Sequence, residues 1–205
     1  MKNLIYNHIV KQVTIDGYKV VLEHASKGAL ILDVGIGNGL MIKHYHAIIK
    51  RKNIKIIGID INRVYLKHCA NLIEHYGLQD NFKLVANSIE NFLPPEKQSF
   101  DCIVFSMSLM LLKDKQQDII ESVKNWMKPD GRIIFSQVEF EKNNKFLNFI
   151  KPKLKYLTTI DFGEIIYRDE FLSFLESNSL RVIENISRNK NFFKGKHRIT
   201  MTGHN

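Results

Sequence analysis

The sequence predicts a single α/β domain, a mostly parallel sheet covered by helices on both faces. From Gly28 onward short apolar runs alternate with stretches of helical periodicity, the pattern of a sheet built from strand–helix–strand units. One such run, Ile31-Leu32-Asp33-Val34, passes straight into a turn with glycines at 35, 37 and 39, and a second, Ile54 to Ile59, closes on Asp60. Glycine permits a tight turn and close approach of backbone to ligand, and a helix starting there aims unpaired N–H groups at whatever sits in the turn.

The elements follow in order. Strands begin near Leu30, Lys55, Phe82, Asp101 and Arg132, with helices at 40–51, 63–75 and 115–126 between them. Further on, Phe171, Phe174 and Leu175 mark one face of a helix over 169–176; Leu180 to Ile186 reads as a strand, and a last strand lies near 198–202. Residues 1–27 form a helical lead-in carrying Tyr6, His8 and Tyr18, and residues 138–167 form an insertion after the fifth strand. Phe146, Leu147, Phe149 and Ile150 give that insertion an amphipathic stretch, read as a lid packed on the domain rather than a lipid-facing surface.

The glycine spacing separates two ligand classes. The dinucleotide fingerprint is G-x-G-x-x-G, but here the third glycine comes one residue early and Leu40 holds its place. Asp33, two residues before the first glycine, argues against a diphosphate and for a ligand with a cationic part. The string Asp33-Val34-Gly35-Ile36-Gly37-Asn38-Gly39 resembles motif I of the class I S-adenosylmethionine-dependent methyltransferases, D-x-G-x-G-x-G after an apolar run. Phe82 to Ile89 is similar to that family's third strand, Phe100 to Met107 to its fourth, and Asn125 to Phe135 to its L-K-P-G-G turn into the fifth.

The resemblance implies a three-layer Rossmann-like methyltransferase fold, with a mostly parallel seven-stranded sheet whose last strand is antiparallel. It implies S-adenosyl-L-methionine as cofactor, with S-adenosyl-L-homocysteine as product. The loop Asp33, Gly35, Gly37, Gly39 would carry the amino-acid portion, Asp60 the ribose hydroxyls and Asn87 the adenine amino group, with Ile61, Ser88 and Ile89 also binding the cofactor and Ser106 and Met107 bordering it. A carboxylate suits vicinal hydroxyls because it offers two acceptor oxygens to two donors. Asn87 stands where the family has aspartate and Asp130 where glycine is common; an amide carbonyl still accepts from an adenine amino group.

Several classes are disfavoured. There is no Asn- or Asp-Pro-Pro-aromatic turn after the fourth strand, as amino-methylating enzymes of nucleobases carry, and no Pro-Cys nucleophile; Cys102 lies inside a strand. Cys69 and Cys102 lack the spacing of a metal knuckle and read as reduced core thiols, while His44 and His46, two apart on a helix, diverge, so no metal is expected. The net charge of +9 invites nucleic acid, but Lys and Arg are spread rather than clustered. By elimination the acceptor is a small, partly apolar or lipid-like molecule, methylated by in-line displacement in which positioning supplies most of the rate. Acceptor-side candidates are Tyr6, His8, Asp161 and Tyr167, with Tyr18 and Glu139 behind them. With no signal peptide or membrane span, a cytoplasmic enzyme is expected. The alternatives are a non-catalytic cofactor-binding regulatory or scaffolding protein, an RNA or protein methyltransferase, and a nucleotide-dependent oxidoreductase.

Overall fold

A computed structural model describes residues 2–141, 166–192 and 195–204, with side chains described from Lys11 onward except at 113 and 189–192. The first five strands are β1 (Leu30–Val34), β2 (Lys55–Asp60), β3 (Phe82–Ala86), β4 (Phe100–Ser106) and β5 (Met127–Phe140). They are followed by β6 (Ile166–Tyr167), β7 (Leu180–Phe192) and β8 (Gly195–His204). The helices are α1 (Lys2–His24), α2 (Leu40–Lys52), α3 (Arg63–Tyr76), α4 (Gln116–Trp126) and α5 (Arg168–Ser177). The sheet runs in the order β3-β2-β1-β4-β5-β8-β7. β8 runs antiparallel to both of its neighbours, and the β1, β2, β3, β4 and β5 pairings are parallel.

This is the expected architecture with one addition, since the sheet has eight strands rather than seven. The eighth is β6, two residues paired with Glu139 and Phe140 of β5. β5 starts five residues before the expected Arg132, where Met127 pairs with Phe100 of β4, and runs on to Phe140 because β8 partners it there, from Thr202 down to Gly195. The segment assigned to an insertion is therefore strand at both ends: Val138–Phe140 belong to β5 and Ile166–Tyr167 to β6.

Strand alternation sorts the core into two layers. Ile31 of β1, Cys102 and Val104 of β4 and Ile134 of β5 face α1, α2 and α3, together with Tyr18, Val20, Val21 and Leu22. Leu32, Val34, Ile103, Phe105 and Phe135 face the opposite way, onto α4 and α5. The lead-in helix is thus part of the core over its second half. Lys52 of α2 fixes its end, its ammonium donating to the carbonyls of Leu22, Glu23 and Ala25 at 2.7–3.0 Å, as suits a cation at a helix C-terminus.

The two edges of the sheet differ in chemistry. At the amino edge Asp101 accepts from the Leu30 N–H at 2.8 Å and from the Lys128 ammonium at 2.7 Å, tying β4 to β1 and to the turn before β5. At the carboxyl edge the strands end in Asp33-Val34, Asp60, Ala86 and Ser106, the place where open α/β sheets bind ligands.

Candidate functional site

All three loop glycines adopt positive φ, 78° at Gly35, 61° at Gly37 and 77° at Gly39, which explains why this turn takes no other residue readily. Gly39 also needs its missing Cβ, which would lie 2.9 Å from Leu72 Cδ1 and 3.2 Å from Cys69 Sγ, so α3 packs directly on the turn. The loop is held to β2 by its own amides. The N–H groups of Gly35 and Ile36 both donate to the Ile59 carbonyl, and Gly37 N–H donates to Asp60 Oδ2 at 2.8 Å. The Cys69 thiol donates to the Gly37 carbonyl at 3.3 Å.

Asp60 does not act as the side-chain cap of α3. That task falls to Asn62, whose side chain accepts from Val64 N–H and Tyr65 N–H, while Asp60 Oδ1 accepts from Asn62 N–H at 2.8 Å. Both Asp60 oxygens thus take one main-chain donor each and keep lone pairs for others. Ile61 beside it is 76 % exposed, an uncovered apolar face at the carboxyl edge.

Asp33 is fully buried on the α1 side of β1. Tyr18 of α1, also buried, donates its hydroxyl to Asp33 Oδ2 at 2.8 Å, and Oδ1 has no hydrogen-bond partner. Burial pushes the carboxyl up to about 7, the Tyr18 bond pulls it down and the nearby Asp60 charge adds to the rise. A buried carboxylate oxygen without a partner is costly, and a cationic group bound there would supply what is missing. The donor set therefore fits a ligand with an ammonium at Asp33 and hydroxyls at Asp60.

The end of β4 adds further open polar atoms. Ser106 and Ser108 are buried and their hydroxyls have no hydrogen-bond partner; between them Met107 adopts φ 57°, its N–H donating to the Ser136 carbonyl. A left-handed methionine is strained backbone of the kind that gathers at ligand sites. Ser108 Cβ stands 3.0 Å from where a Gly35 Cβ would be, so this turn and the glycine loop touch. After β3, Asn87 Oδ1 accepts from Ser88 N–H and its amide donates to the Asn91 carbonyl; Ser88 is half-buried, and Ile89 packs into the α4-side core.

The acceptor-side candidates fare differently. The side chains of Tyr6 and His8 and the whole of Asp161 lie outside the described residues. Tyr167 is buried in β6, in register with Phe140. Tyr18 serves Asp33. Glu139 is buried and engaged by Arg168 at 2.9 Å, by Gln137 at 3.1 Å and, more distantly, by Arg198 at 3.6 Å, which makes it an ion-pair centre rather than a free base. His46 stacks on Tyr76 with ring centroids 3.9 Å apart. Sequence reasoning missed Ser108 and Gly17. Gly17 is an isolated glycine inside a helical pattern, a signal of close packing, and a Cβ there would lie 2.6 Å from Ser136 Cβ.

With helices on both faces of a mostly parallel sheet, a buried acid before the glycine turn and a second acid closing the next strand, the chain has a Rossmann-like α/β fold. Residues 25–193 match the methyltransferase domain family, and the chain belongs to that family. It is 30% identical over 131 residues to a ubiquinone/menaquinone biosynthesis C-methyltransferase of Wigglesworthia glossinidia brevipalpis, covering 63% of this chain and 46% of the relative. A ubiquinone biosynthesis O-methyltransferase of Coxiella burnetii is 27% identical over 164 residues, 77% of this chain and 66% of that protein. Across the first of these curated relatives the chain spans about half their length. In fold it is similar to geranyl diphosphate C-methyltransferase from Streptomyces coelicolor A3(2), with a TM-score of 0.74 at 12% identity over 97% of this chain and 80% of the other.

Proposed function

We propose that this chain is an S-adenosylmethionine-dependent methyltransferase acting on a small, partly apolar acceptor. The observation that carries the reading is the buried, unpartnered Oδ1 of Asp33 at the head of the glycine turn, which suits a ligand bearing an ammonium and a nucleoside. Family membership supports the same class of chemistry. Asp33 would hold the amino-acid end and Asp60 the ribose hydroxyls. Ile61 would lie along the adenine and Asn87 Oδ1 would accept from its amino group, while Ser88 and Ile89 shape that end. Gly35, Gly37 and Gly39 allow the backbone to approach, and Ser106 and Met107 border the reacting end.

The cofactor supplies a methyl group on a sulfonium, a leaving group that needs no acid. What the protein must add is alignment and exclusion of water. The carboxyl edge is open unless further segments cover it, and we assign that role to the part of residues 1–27 ahead of the core half of α1 and to the part of 138–167 between β5 and β6, with Tyr6, His8 and Asp161 as acceptor-lining residues and Tyr167, buried in β6, at the margin. An acceptor of partly apolar character agrees with the quinone-pathway names of the relatives and with the geranyl diphosphate enzyme of like fold. Among the described residues no helix is long and apolar enough to cross a membrane. The free thiols Cys69 and Cys102 favour a cytoplasmic setting.

Calorimetry with S-adenosylmethionine, S-adenosylhomocysteine and NAD tests the reading. Binding of the two sulfur nucleosides with NAD weaker is the expected result; tighter binding of NAD would overturn it.

A further inference from the structure

We infer that Tyr18 is a positioning residue for the cofactor: its phenol engages one oxygen of Asp33, so that the other is left as the acceptor for the cofactor's cationic end. The inference rests on the cofactor reading above and concerns how the acid of the glycine turn is made competent.

Tyr18 is held where it is by more than its own bond. α1 comes within contact of β5 at Gly17, where any Cβ would lie 2.3 Å from Ser136 Oγ, and the Ser136 hydroxyl donates to the Val13 carbonyl at 3.3 Å. One residue on, the Tyr18 ring is 1 % exposed and packs in the layer shared with Ile31, Cys102 and Val104. From α2, the Tyr45 hydroxyl donates to the Ile15 carbonyl at 2.9 Å. The helix is thus pinned ahead of the tyrosine at Val13, Ile15 and Gly17 and beyond it by the Lys52 ammonium on the carbonyls of Leu22, Glu23 and Ala25, and the phenol donates to Asp33 Oδ2 at 2.8 Å.

The groups facing Asp33 explain why that donor matters. Besides Tyr18 on α1 they are Asp60 at the end of β2, Cys69 on α3 and Cys102 on β4. None of these is a cation. Cys69 is pushed up to about 12 and Cys102 higher still by burial, and Tyr18 itself is raised by burial and by Asp33, so none of these three ionises near neutrality. The hydroxyl of Tyr18 is therefore the group that favours the ionised form of Asp33 before a cation arrives. It also fixes which oxygen remains open, because a carboxylate held by one side cannot turn to present the other.

The test is the affinity for S-adenosylhomocysteine, measured by calorimetry between pH 5.5 and 8.5 for wild type, Tyr18→Phe and Asp33→Asn. In the wild type affinity is expected to fall as pH drops below about 7, where Asp33 takes up a proton. Tyr18→Phe is expected to bind roughly tenfold more weakly at neutral pH and to move that fall upward by about one pH unit, the loss of one hydrogen bond to a charge. Asp33→Asn is expected to bind weakly with no such pH dependence. Affinity within twofold of wild type and an unmoved profile in Tyr18→Phe would overturn the inference and leave the cofactor reading standing; no binding by wild type at any pH would overturn both. Should Tyr18→Phe not fold, carbon-13 shifts of the wild type decide: the Tyr18 Cζ signal must follow the Asp33 carboxyl titration, and one that stays fixed while Asp33 titrates overturns it.

Discussion

Asp60 and Asp33 are carboxylates at neighbouring strand ends with opposite surroundings. Asp60 is half-buried and receives Gly37 N–H and Asn62 N–H, so it is well solvated by the protein before any ligand is present. In Asp60→Ala these two donors lose their partner, and hydroxyl donors of a bound nucleoside would too. The expected loss is about 2 kcal/mol of S-adenosylhomocysteine binding, measured by calorimetry on a variant shown to be folded. Unchanged affinity would mean that Asp60 only braces the loop. Asp33 carries the opposite sign. Its carboxyl lies at about 7 in the folded chain, against about 3.9 in an unfolded one. Between those values the folded state binds more protons, so the group's contribution to stability falls as pH rises through that window and levels off above it. Asp33→Asn removes this penalty. Urea unfolding at a series of pH values is expected to show the variant gaining a few kcal/mol on the wild type from pH 4 to pH 8, and a difference that stays flat would show that Asp33 does not titrate in that range.

At the scale of elements, α1 illustrates what a sequence conveys and what it withholds. The glycine turn and Asp60 were legible because their chemistry is local: positive φ demands glycine at fixed offsets, and an apolar run ending in an acid marks its own strand end. The bond from Tyr18 to Asp33 joins residues fifteen apart across a helix and a strand, and nothing in an amphipathic pattern says which of seven tyrosines will reach the site. The same holds for Glu139, whose charge reads as a candidate base until Arg168 and Arg198 are brought to it from α5 and β8. The run of β5 through Val138 to Phe140 was hidden for a similar reason, since those residues pair with Gly195 to His197 of β8, far along the chain. Gly17 shows how the element scale reverses a local rule. Gly to Ala inside a helix ordinarily stabilises by up to about 1 kcal/mol, but here the added methyl would meet Ser136 at 2.3–2.6 Å. Gly17→Ala is expected to destabilise by about 1–3 kcal/mol, and Ser136→Gly in the same chain should recover part of that. Denaturant midpoints for the single and double variants check the pairing, and a stabilised Gly17→Ala would show that α1 does not lie this close to β5.

At the scale of the whole molecule, the sheet divides the labour between its two edges, and that division is itself measurable. The amino edge is closed by Asp101, which joins β1, β4 and the Lys128 turn through direct bonds. At the carboxyl edge Asp33, Ser106 and Ser108 keep buried oxygens without hydrogen-bond partners and Met107 holds a left-handed backbone. Groups in that condition are where a ligand can return more free energy than it costs to order. Ligand-induced protection should therefore be one-sided. Hydrogen exchange with and without S-adenosylhomocysteine is expected to slow at 33–39, 60–62, 87–89 and 106–108, and in α1 around 13–18 because Tyr18 is tied to Asp33, while the turn at 128–131 stays as it was. The second half of α1 should already be well protected in the free protein, since Val13, Tyr18, Val20, Val21 and Leu22 are core residues and local opening there exposes much of one layer. A free protein in which 13–24 exchanges as fast as an exposed loop would mean that α1 docks only with the cofactor. Protection spread equally to both edges would mean that binding tightens the whole domain rather than filling a site prepared at one end of the sheet.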